Sequence, residues 1–126
     1  MNKKRILVID DEATFTHLLK LNLERTGEFE VKEENRGSLG LETAREFKPD
    51  LILLDVIMPD MDGSSVAALI KTDEKLRNIP VLFLTAVLSR EESHVMGGTL
   101  AGYPCIPKPA SPEDVIALIE NNLIKK

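Results

Sequence analysis

The sequence predicts a single α/β domain in which helices cover both faces of a central parallel sheet. Three apolar runs support this prediction, at residues 6–9, 51–54 and 81–84, and none of them alternates with polar residues. Continuous apolarity is typical of parallel strands that are buried on both faces. Each run is followed by a segment whose apolar residues recur at helical spacing. This alternation of strand and helix predicts a doubly wound (βα)5 sandwich.

Two weaker apolar runs, at residues 29–31 and 103–106, complete a set of five strands. Helical spacing predicts five helices, at residues 13–26, 38–47, 64–76, 90–97 and 112–124. A right-handed sheet of this kind takes the strand order 2-1-3-4-5. Pro104 and Pro107 favour an edge position for the last strand, because proline cannot donate a ladder hydrogen bond.

The first and last helices have the clearest boundary signals. Gly27 follows the first helix and is a typical residue at a helix C-terminus. Ser111 can cap the last helix, and Pro112 suits its first position. The helix expected at 90–97 is the weakest, because two glycines end it early. The first helix has Phe15, Leu18, Leu19 and Leu23 at helical spacing.

Length and composition limit the classes of protein that the chain can belong to. It has 126 residues, 43% hydrophobic and 29% charged, which fits one folded domain over residues 1–126. The net charge of -5 argues against direct nucleic-acid binding. No apolar run approaches the ~20 residues of a membrane span, so we expect no membrane association. Cys105 is the only cysteine, so no internal disulfide can form and we expect a cytoplasmic protein.

Polar residues follow four of the predicted strands, at the ends where parallel strands meet. Asp10 and Asp11 follow the first strand, Asp55 the third, Thr85 the fourth and Lys108 the fifth. In the order 2-1-3-4-5 the first and third strands are neighbours, so three carboxylates come close together. Each residue alone could cap a helix or lie in a loop. Their convergence at one edge of the sheet predicts a functional site.

The three carboxylates expected at this edge need positive charge nearby. At neutral pH they repel each other unless a cation or a proton accompanies them. Oxygen ligands favour Mg²⁺, which needs only one or two carboxylates besides waters and a phosphate oxygen. His17 and His94 fall in helical segments and do not indicate zinc. Mg²⁺, a carboxylate nucleophile, a lysine and a hydroxyl are the parts that phosphoryl transfer requires.

Four motifs together resemble one known family. They are ILVIDDE at 6–12, PDLILLDVIMPDMDG at 49–63, VLFLTA at 81–86 and IPKP at 106–109. In this order, and over essentially the whole chain, they resemble the receiver domain of two-component response regulators. The resemblance implies a flavodoxin-like fold that accepts a phosphoryl group from a phosphohistidine. It also implies a protein that takes part in its own Mg²⁺-dependent phosphotransfer and autodephosphorylation but is not otherwise an enzyme.

The resemblance also implies roles for the metal ligands and the nucleophile. Asp55 is similar to the phosphoacceptor of the family. Asp11 and Asp55 are similar to the direct Mg²⁺ ligands, with the backbone carbonyl of Ile57 as a third. Asp10 is similar to the acid that holds the ion through water.

The remaining site positions concern the phosphoryl group and the switch that it drives. Thr85 resembles the hydroxyl that moves onto the phosphoryl group, Ala86 the small residue beside it and Lys108 the cation that pairs with it. The family's switch aromatic usually lies three residues before the lysine, where this chain has Cys105. Tyr103 lies five before. We therefore expect activation to change the surface around the fourth helix, fifth strand and fifth helix without inward rotation of a ring.

Other functions find less support in the sequence. A phosphatase of the haloacid dehalogenase type needs a second acid two residues after its nucleophile, where this chain has Ile57. No glycine-rich phosphate-binding motif follows a strand, so a nucleotide-binding domain is not indicated. The remaining alternative is a receiver-like docking module that binds partners without phosphorylation.

The resemblance implies partners on both sides of the phosphotransfer. A sensor histidine kinase or a phosphotransfer protein would act upstream. A downstream protein or an output domain would respond to the phosphorylated state, and a dimer that forms on phosphorylation is compatible with the family.

Overall fold

The computed structural model describes residues 3–85, 99–100, 102–108 and 111–123. Its strands are β1 (Lys4–Ile9), β2 (Phe29–Glu34), β3 (Leu51–Asp55), β4 (Val81–Thr85), β5 (Thr99–Leu100) and β6 (Tyr103–Pro107). Its helices are α1 (Ala13–Arg25), α2 (Gly40–Phe47), α3 (Gly63–Thr72) and α4 (Pro112–Asn122). A short 3₁₀ helix, Gly37–Leu39, leads into α2. The helix expected at 90–97 lies outside the described residues.

The strands form one sheet in the order β2-β1-β3-β4-β6-β5. The first five of these are parallel, which confirms the predicted order 2-1-3-4-5 with β6 in the fifth place. The expectation that this fifth strand forms the edge was wrong. Two-residue β5 pairs antiparallel with the start of β6, through Thr99 with Pro104 and Leu100 with Tyr103. Gly102 allows the tight connection, because its φ of 84° lies in the left-handed region that favours glycine.

The core has two layers, one on each face of the sheet. Alternate residues of a strand point to opposite faces, so neighbours such as Leu53 and Leu54 belong to different layers. One layer packs β-strand residues against α2 and α3, through Ala44 and Val66. The other packs them against α1 and α4, and residues from these helices include Leu19, Leu23, Val115 and Ile119. Burial of both faces explains why the runs at residues 6–9, 51–54 and 81–84 are continuously apolar.

The helix boundaries follow local side-chain chemistry. The Oγ of Ser111 accepts the Asp114 N–H at 3.1 Å, which confirms the predicted cap of α4. Helix α3 ends at Thr72, earlier than the expected residue 76, because Asp73 is extended and its carboxylate accepts the Lys75 N–H. Leu18 of α1 is 56% exposed, whereas Leu19 and Leu23, at the same helical spacing, are buried.

Candidate functional site

Four strands bring polar side chains to the carboxyl end of the sheet. β1 leads directly into Asp10, β3 and β4 end at Asp55 and Thr85, and β6 leads into Lys108. The register aligns these ends, because Asp55 lies opposite Leu84 and Thr85 opposite Pro107. Asp10, Asp55 and Thr85 are almost fully buried, at 0%, 6% and 1% exposure. Buried polar residues at one edge of a sheet are a typical sign of a functional site.

The three aspartates predicted to meet do lie together. One carboxylate oxygen from each of Asp10, Asp11 and Asp55 lies within 4.8 Å of the others. Asp11 is exposed, so the cluster opens to solvent on its side. An all-oxygen set that is partly exposed to solvent suits Mg²⁺, which binds few carboxylates and retains waters.

The two buried carboxylates of this cluster have raised pKa values. Burial raises the pKa of Asp55 to about 6, and the negative charges of Asp10 and Asp11 add to the rise while Lys108 opposes it. Burial also raises the pKa of Asp10, against the hydrogen bond from Lys108. A divalent cation would relieve both effects by neutralising the carboxylates.

Lys108 is the cation of the site. Its Nζ lies 2.5 Å from Asp10 Oδ2, 3.0 Å from Glu12 Oε1 and 3.8 Å from Asp55 Oδ1. Burial disfavours the charged ammonium, but the hydrogen bonds with Asp10 and Glu12 outweigh it and raise the pKa of Lys108. Its backbone N–H donates to the Thr85 carbonyl at 2.7 Å, which joins the ends of β4 and β6.

The loop that follows Asp55 is held close to the site by backbone contacts. The Gly63 N–H donates to the Val56 carbonyl at 2.6 Å. A Cβ at Gly63 would lie 2.2 Å from the Asp55 carbonyl oxygen, so only glycine fits there. The Asp60 carboxylate accepts the N–H groups of Gly37 and Ser38 at 3.2 and 3.0 Å. These contacts fix the loop between β3 and α3.

Asn35 also supports the site, and sequence analysis missed it. Its Nδ2 donates to the Asp10 carbonyl at 2.8 Å and to Thr16 Oγ1 at 3.0 Å. It therefore ties the end of β1 to α1 and to the loop after β2. Its sequence position gave no signal, because a polar residue after a strand is ordinary in loops. Sequence analysis also missed the contact between Glu12 and Lys108, because only the folded structure brings these two residues together.

The roles expected at four further positions stay predictions: Ile57, Ala86, Tyr103 and Cys105. Ala86 lies outside the described residues. The Ile57 side chain is 61% exposed in the loop after β3. Cys105 is buried, and Tyr103 is half-buried with its ring edge-on to Phe83, at a centroid distance of 5.3 Å and an interplanar angle of 79°.

A groove of about 960 Å³ lies at the other end of the sheet, away from the acidic cluster. Its lining includes Arg45, Lys48 and Leu76. The chemistry-bearing residues thus form a largely buried cluster that opens to solvent at Asp11, and the groove contains none of them.

A doubly wound parallel sheet with carboxylates and a lysine at its carboxyl end defines a class of signalling domain. Residues 6–120 match the family described as response regulator receiver domain, and the chain belongs to this family. It is therefore a receiver domain of the two-component response regulators, a phosphoacceptor signalling domain, and the docking alternative is not favoured. Receiver domains bind Mg²⁺ at an acidic pocket and interact with histidine kinases or phosphotransfer proteins.

Curated relatives extend this finding. The chain is 40% identical over 120 residues to the alkaline phosphatase synthesis transcriptional regulatory protein PhoP of Bacillus subtilis, covering 95% of this chain and 48% of PhoP. It is 35% identical over 115 residues to the DNA-binding dual master transcriptional regulator RpaA of Synechocystis, covering 91% of this chain and 47% of RpaA. The chain spans about half the length of the curated relatives that it matches.

Solved structures show the same architecture. The chemotaxis protein CheY4 of Vibrio cholerae has a TM-score of 0.82 at 24% identity, covering 97% of this chain and 100% of CheY4, which shows the fold alone. The N-terminal domain of a response regulator receiver protein from Methanoculleus marisnigri has a TM-score of 0.69 at 36% identity, covering 97% and 98%. Among the residues that the structure describes, no helix is long and apolar enough to cross a membrane.

Proposed function

We propose that Asp55 of this receiver domain accepts a phosphoryl group from a phosphohistidine and that residues 1–126 form one receiver domain. The placement of the Asp55 side chain carries the proposal. It lies at the end of β3, close to two further acids and to the Lys108 ammonium. In the transfer, an Asp55 carboxylate oxygen attacks phosphorus, the P–N bond breaks, and the imidazole leaves with that electron pair.

Mg²⁺ is the proposed cofactor. Asp11 and Asp55 would be direct ligands, the Ile57 carbonyl a third, and Asp10 would act through water. The raised pKa values of Asp10 and Asp55 support a bound cation, since burial disfavours both carboxylates as anions and Lys108 does not fully offset it. When bound, the ion would neutralise charge on the transferring group.

The other side chains would act on the phosphoryl group itself. The Lys108 ammonium lies 3.8 Å from Asp55 and would pair with a phosphoryl oxygen. The Thr85 hydroxyl, which belongs to the neighbouring strand end, would donate to another oxygen. Ala86 would leave space beside it. The change would spread to the surface around residues 90–97, β6 and α4.

The proposed partners follow from the family and from the length of the relatives. A sensor histidine kinase or phosphotransfer protein would supply the phosphoryl group. A downstream protein or an output domain would read the phosphorylated state, and phosphorylation would allow dimerisation. The relatives include DNA-binding regulators twice as long as this chain. With its net charge of -5, this domain itself would make no direct contact with nucleic acid, and would act in the cytoplasm without enzymatic activity beyond its own phosphorylation cycle.

Intact-mass spectrometry with Mg²⁺ and a small phosphodonor tests the phosphoacceptor. Wild type should gain one phosphoryl group, and Asp55→Asn should gain none, because the amide is not a nucleophile. Asp50→Asn is the matched control, since Asp50 lies at the opposite end of the same strand and accepts the Arg5 N–H. Labelling of the Asp55→Asn protein at the wild-type rate would contradict the proposal.

Two further variants separate metal binding from phosphoryl binding. Asp11→Ala should weaken Mg²⁺ binding, measured by calorimetry, because it removes a ligand. Lys108→Ala should keep Mg²⁺ affinity, since the ammonium repels the ion, but should weaken binding of a phosphoryl mimic. Equal loss of both affinities in Lys108→Ala would contradict the assigned roles.

A further inference from the structure

The Lys108 ammonium has two acidic partners in different environments. Asp10 is fully buried and contacts Nζ at 2.5 Å, whereas the Glu12 side chain is 63% exposed and contacts it at 3.0 Å. The ring of Phe15, in the first turn of α1, has its centroid 4.4 Å from the same nitrogen. One buried acid, one exposed acid and one aromatic face therefore surround the ammonium.

The hydrogen bonds of the Lys108 ammonium go to Asp10 and Glu12 and not to Asp55. An ammonium has three N–H bonds, and the Asp10 and Glu12 oxygens take two of them. The Asp55 oxygen, at 3.8 Å, lies beyond hydrogen-bond distance. In the unphosphorylated state the lysine is thus hydrogen-bonded to the segment between β1 and α1, and its ammonium lies beyond hydrogen-bond distance of Asp55.

We propose that Glu12 is a positioning residue that holds Lys108 in the unphosphorylated state and releases it to the phosphoryl group on Asp55. This inference rests on the proposed function. A phosphoryl group on Asp55 adds anionic oxygens close to a nearly buried ammonium, where charge pairs are strong. Glu12 competes from solvent, where a charge pair is weak. Lys108 therefore pairs preferentially with the phosphoryl group, and competition from Glu12 reduces the net free energy that this pairing contributes.

Removing a competitor of the phosphoryl group should raise the affinity for a phosphoryl mimic, whereas removing a structural support should lower it. Replacing Glu12 by glutamine removes the anion, so Lys108 should pair more readily with a phosphoryl mimic. An exposed ion pair of this kind corresponds to about two- to fivefold in affinity. Damage to the fold would instead weaken binding. Glu12 makes no side-chain hydrogen bond to the first turn of α1 in the described structure, so its replacement leaves that cap unchanged.

The test measures trifluoroberyllate affinity by fluorine-19 NMR at a Mg²⁺ concentration that saturates each variant. Glu12→Gln should bind about two- to fivefold more tightly than wild type. Glu12→Asp is the matched control for charge, because it keeps the carboxylate but shortens the side chain by one carbon, or about 1.5 Å. It should bind as Glu12→Gln does, because the shorter side chain cannot reach Lys108.

A double-mutant cycle identifies the partner. In a Lys108→Ala background, Glu12→Gln should have no further effect on affinity. Unchanged or weaker binding by Glu12→Gln would overturn the proposal, as would a gain that persists without Lys108. Wild-type affinity in Glu12→Asp would also overturn it, because general charge would then explain the gain.

The same experiment distinguishes this inference from the function on which it rests. Binding of trifluoroberyllate by wild type, and its loss in Asp55→Asn, tests the phosphoacceptor. The differences among the Glu12 variants test the competition. If wild type fails to bind, the proposed function fails and this inference with it; if wild type binds and the variants do not differ, only this inference fails.

Discussion

The two ends of the sheet contain aspartates in opposite electrostatic states. At the carboxyl end, burial raises the pKa values of Asp10 and Asp55. At the other end, hydrogen bonds hold the pKa of Asp73 below its usual range, with the Arg45 side chain as the main donor. The Arg45 Nη2 lies 2.6 Å from Asp73 Oδ2. The ionised forms of Asp10 and Asp55 are therefore destabilised, whereas the ionised form of Asp73 is stabilised.

This difference separates residues that serve the fold from residues that serve a ligand. An acid with a lowered pKa contributes to folding stability at neutral pH, whereas an acid with a raised pKa reduces it. The protein keeps Asp10 and Asp55 in an unfavourable environment that a cation would correct. Comparing the two ends by mutation therefore tests which acids are structural.

The largest effect is expected from the glycine that closes the loop at the carboxyl end. Gly63→Ala would place a Cβ 2.2 Å from the Asp55 carbonyl oxygen and 2.9 Å from Val56 Cα, and both are backbone atoms. We expect a loss of about 3 kcal/mol in the free energy of unfolding, measured with urea. Gly27→Ala is the control, because its φ is 79° but nothing lies within 4 Å of the added Cβ. Equal losses in the two variants would show that the close approach at Gly63 has no special cost.

The second prediction concerns the charge of Asp55 in metal-free protein. At pH 7 with chelator, Asp55→Asn should be more stable than wild type by about 1–2 kcal/mol, because it removes a buried, uncompensated anion. The folded pKa of about 6 lies above the usual 3.8, so the native state binds the extra proton between these values. Wild type should therefore lose stability relative to Asp55→Asn as pH rises from about 4 to about 6, with no further change above.

Thermal unfolding across this pH range measures the difference. Added Mg²⁺ should stabilise wild type more than Asp55→Asn, because only wild type retains all three carboxylates. A wild type that is more stable than Asp55→Asn at pH 7 without metal would contradict the assignment of Asp55 as a destabilised anion.

A smaller effect of opposite sign is expected at the other end of the sheet. Asp73→Asn should lower the Tm at pH 7 by about 1–3 °C, because it weakens the bond with Arg45 at the protein surface. The pKa of Asp73 is lowered, so its contribution is present above pH 3.8 and is lost as pH falls through the folded pKa. Mg²⁺ should not alter this difference. A dependence on Mg²⁺ would place Asp73 in the electrostatic reach of the acidic cluster.

The smallest effect is expected in the fluorescence of Tyr103, which belongs neither to the acidic cluster nor to the Arg45–Asp73 pair. Its ring packs edge-on against Phe83, and Lys71 Nζ lies 5.9 Å from the ring centroid. The chain has one tyrosine and no tryptophan, so Tyr103 fluorescence is a clean reporter. Mg²⁺ with trifluoroberyllate should change it little. A large change that disappears in Thr85→Ala would show that the ring moves with the switch.

Sequence patterns were sufficient for the strands and for the convergence of the site. Continuous apolar runs indicated buried parallel strands because hydrophobicity depends on the residue itself and its near neighbours. The residues that end these strands then had to share one edge of the sheet, since parallel strands all point the same way. This is why Asp10, Asp55 and Lys108 could be selected without a structure.

Short or local irregularities were harder to predict. The two residues of β5 are too few for a pattern, and the end of α3 depends on the side chain of Asp73. Leu18 has the same helical spacing as Leu19 and Leu23, but the position of α1 on the sheet leaves it exposed. The helical spacing of apolar residues does not by itself define which of them the sheet buries.

The sequence by itself determined the class of domain, the strand order and the acids and lysine at its carboxyl end. Only the tertiary structure decided which of those charges are compensated. Glu12 meets Lys108 across 96 residues, and Asn35 meets the Asp10 carbonyl across 25. Whether the pKa of an acid is raised or lowered depends on burial and on partners within a few ångströms. Folding brings those partners together from distant parts of the chain.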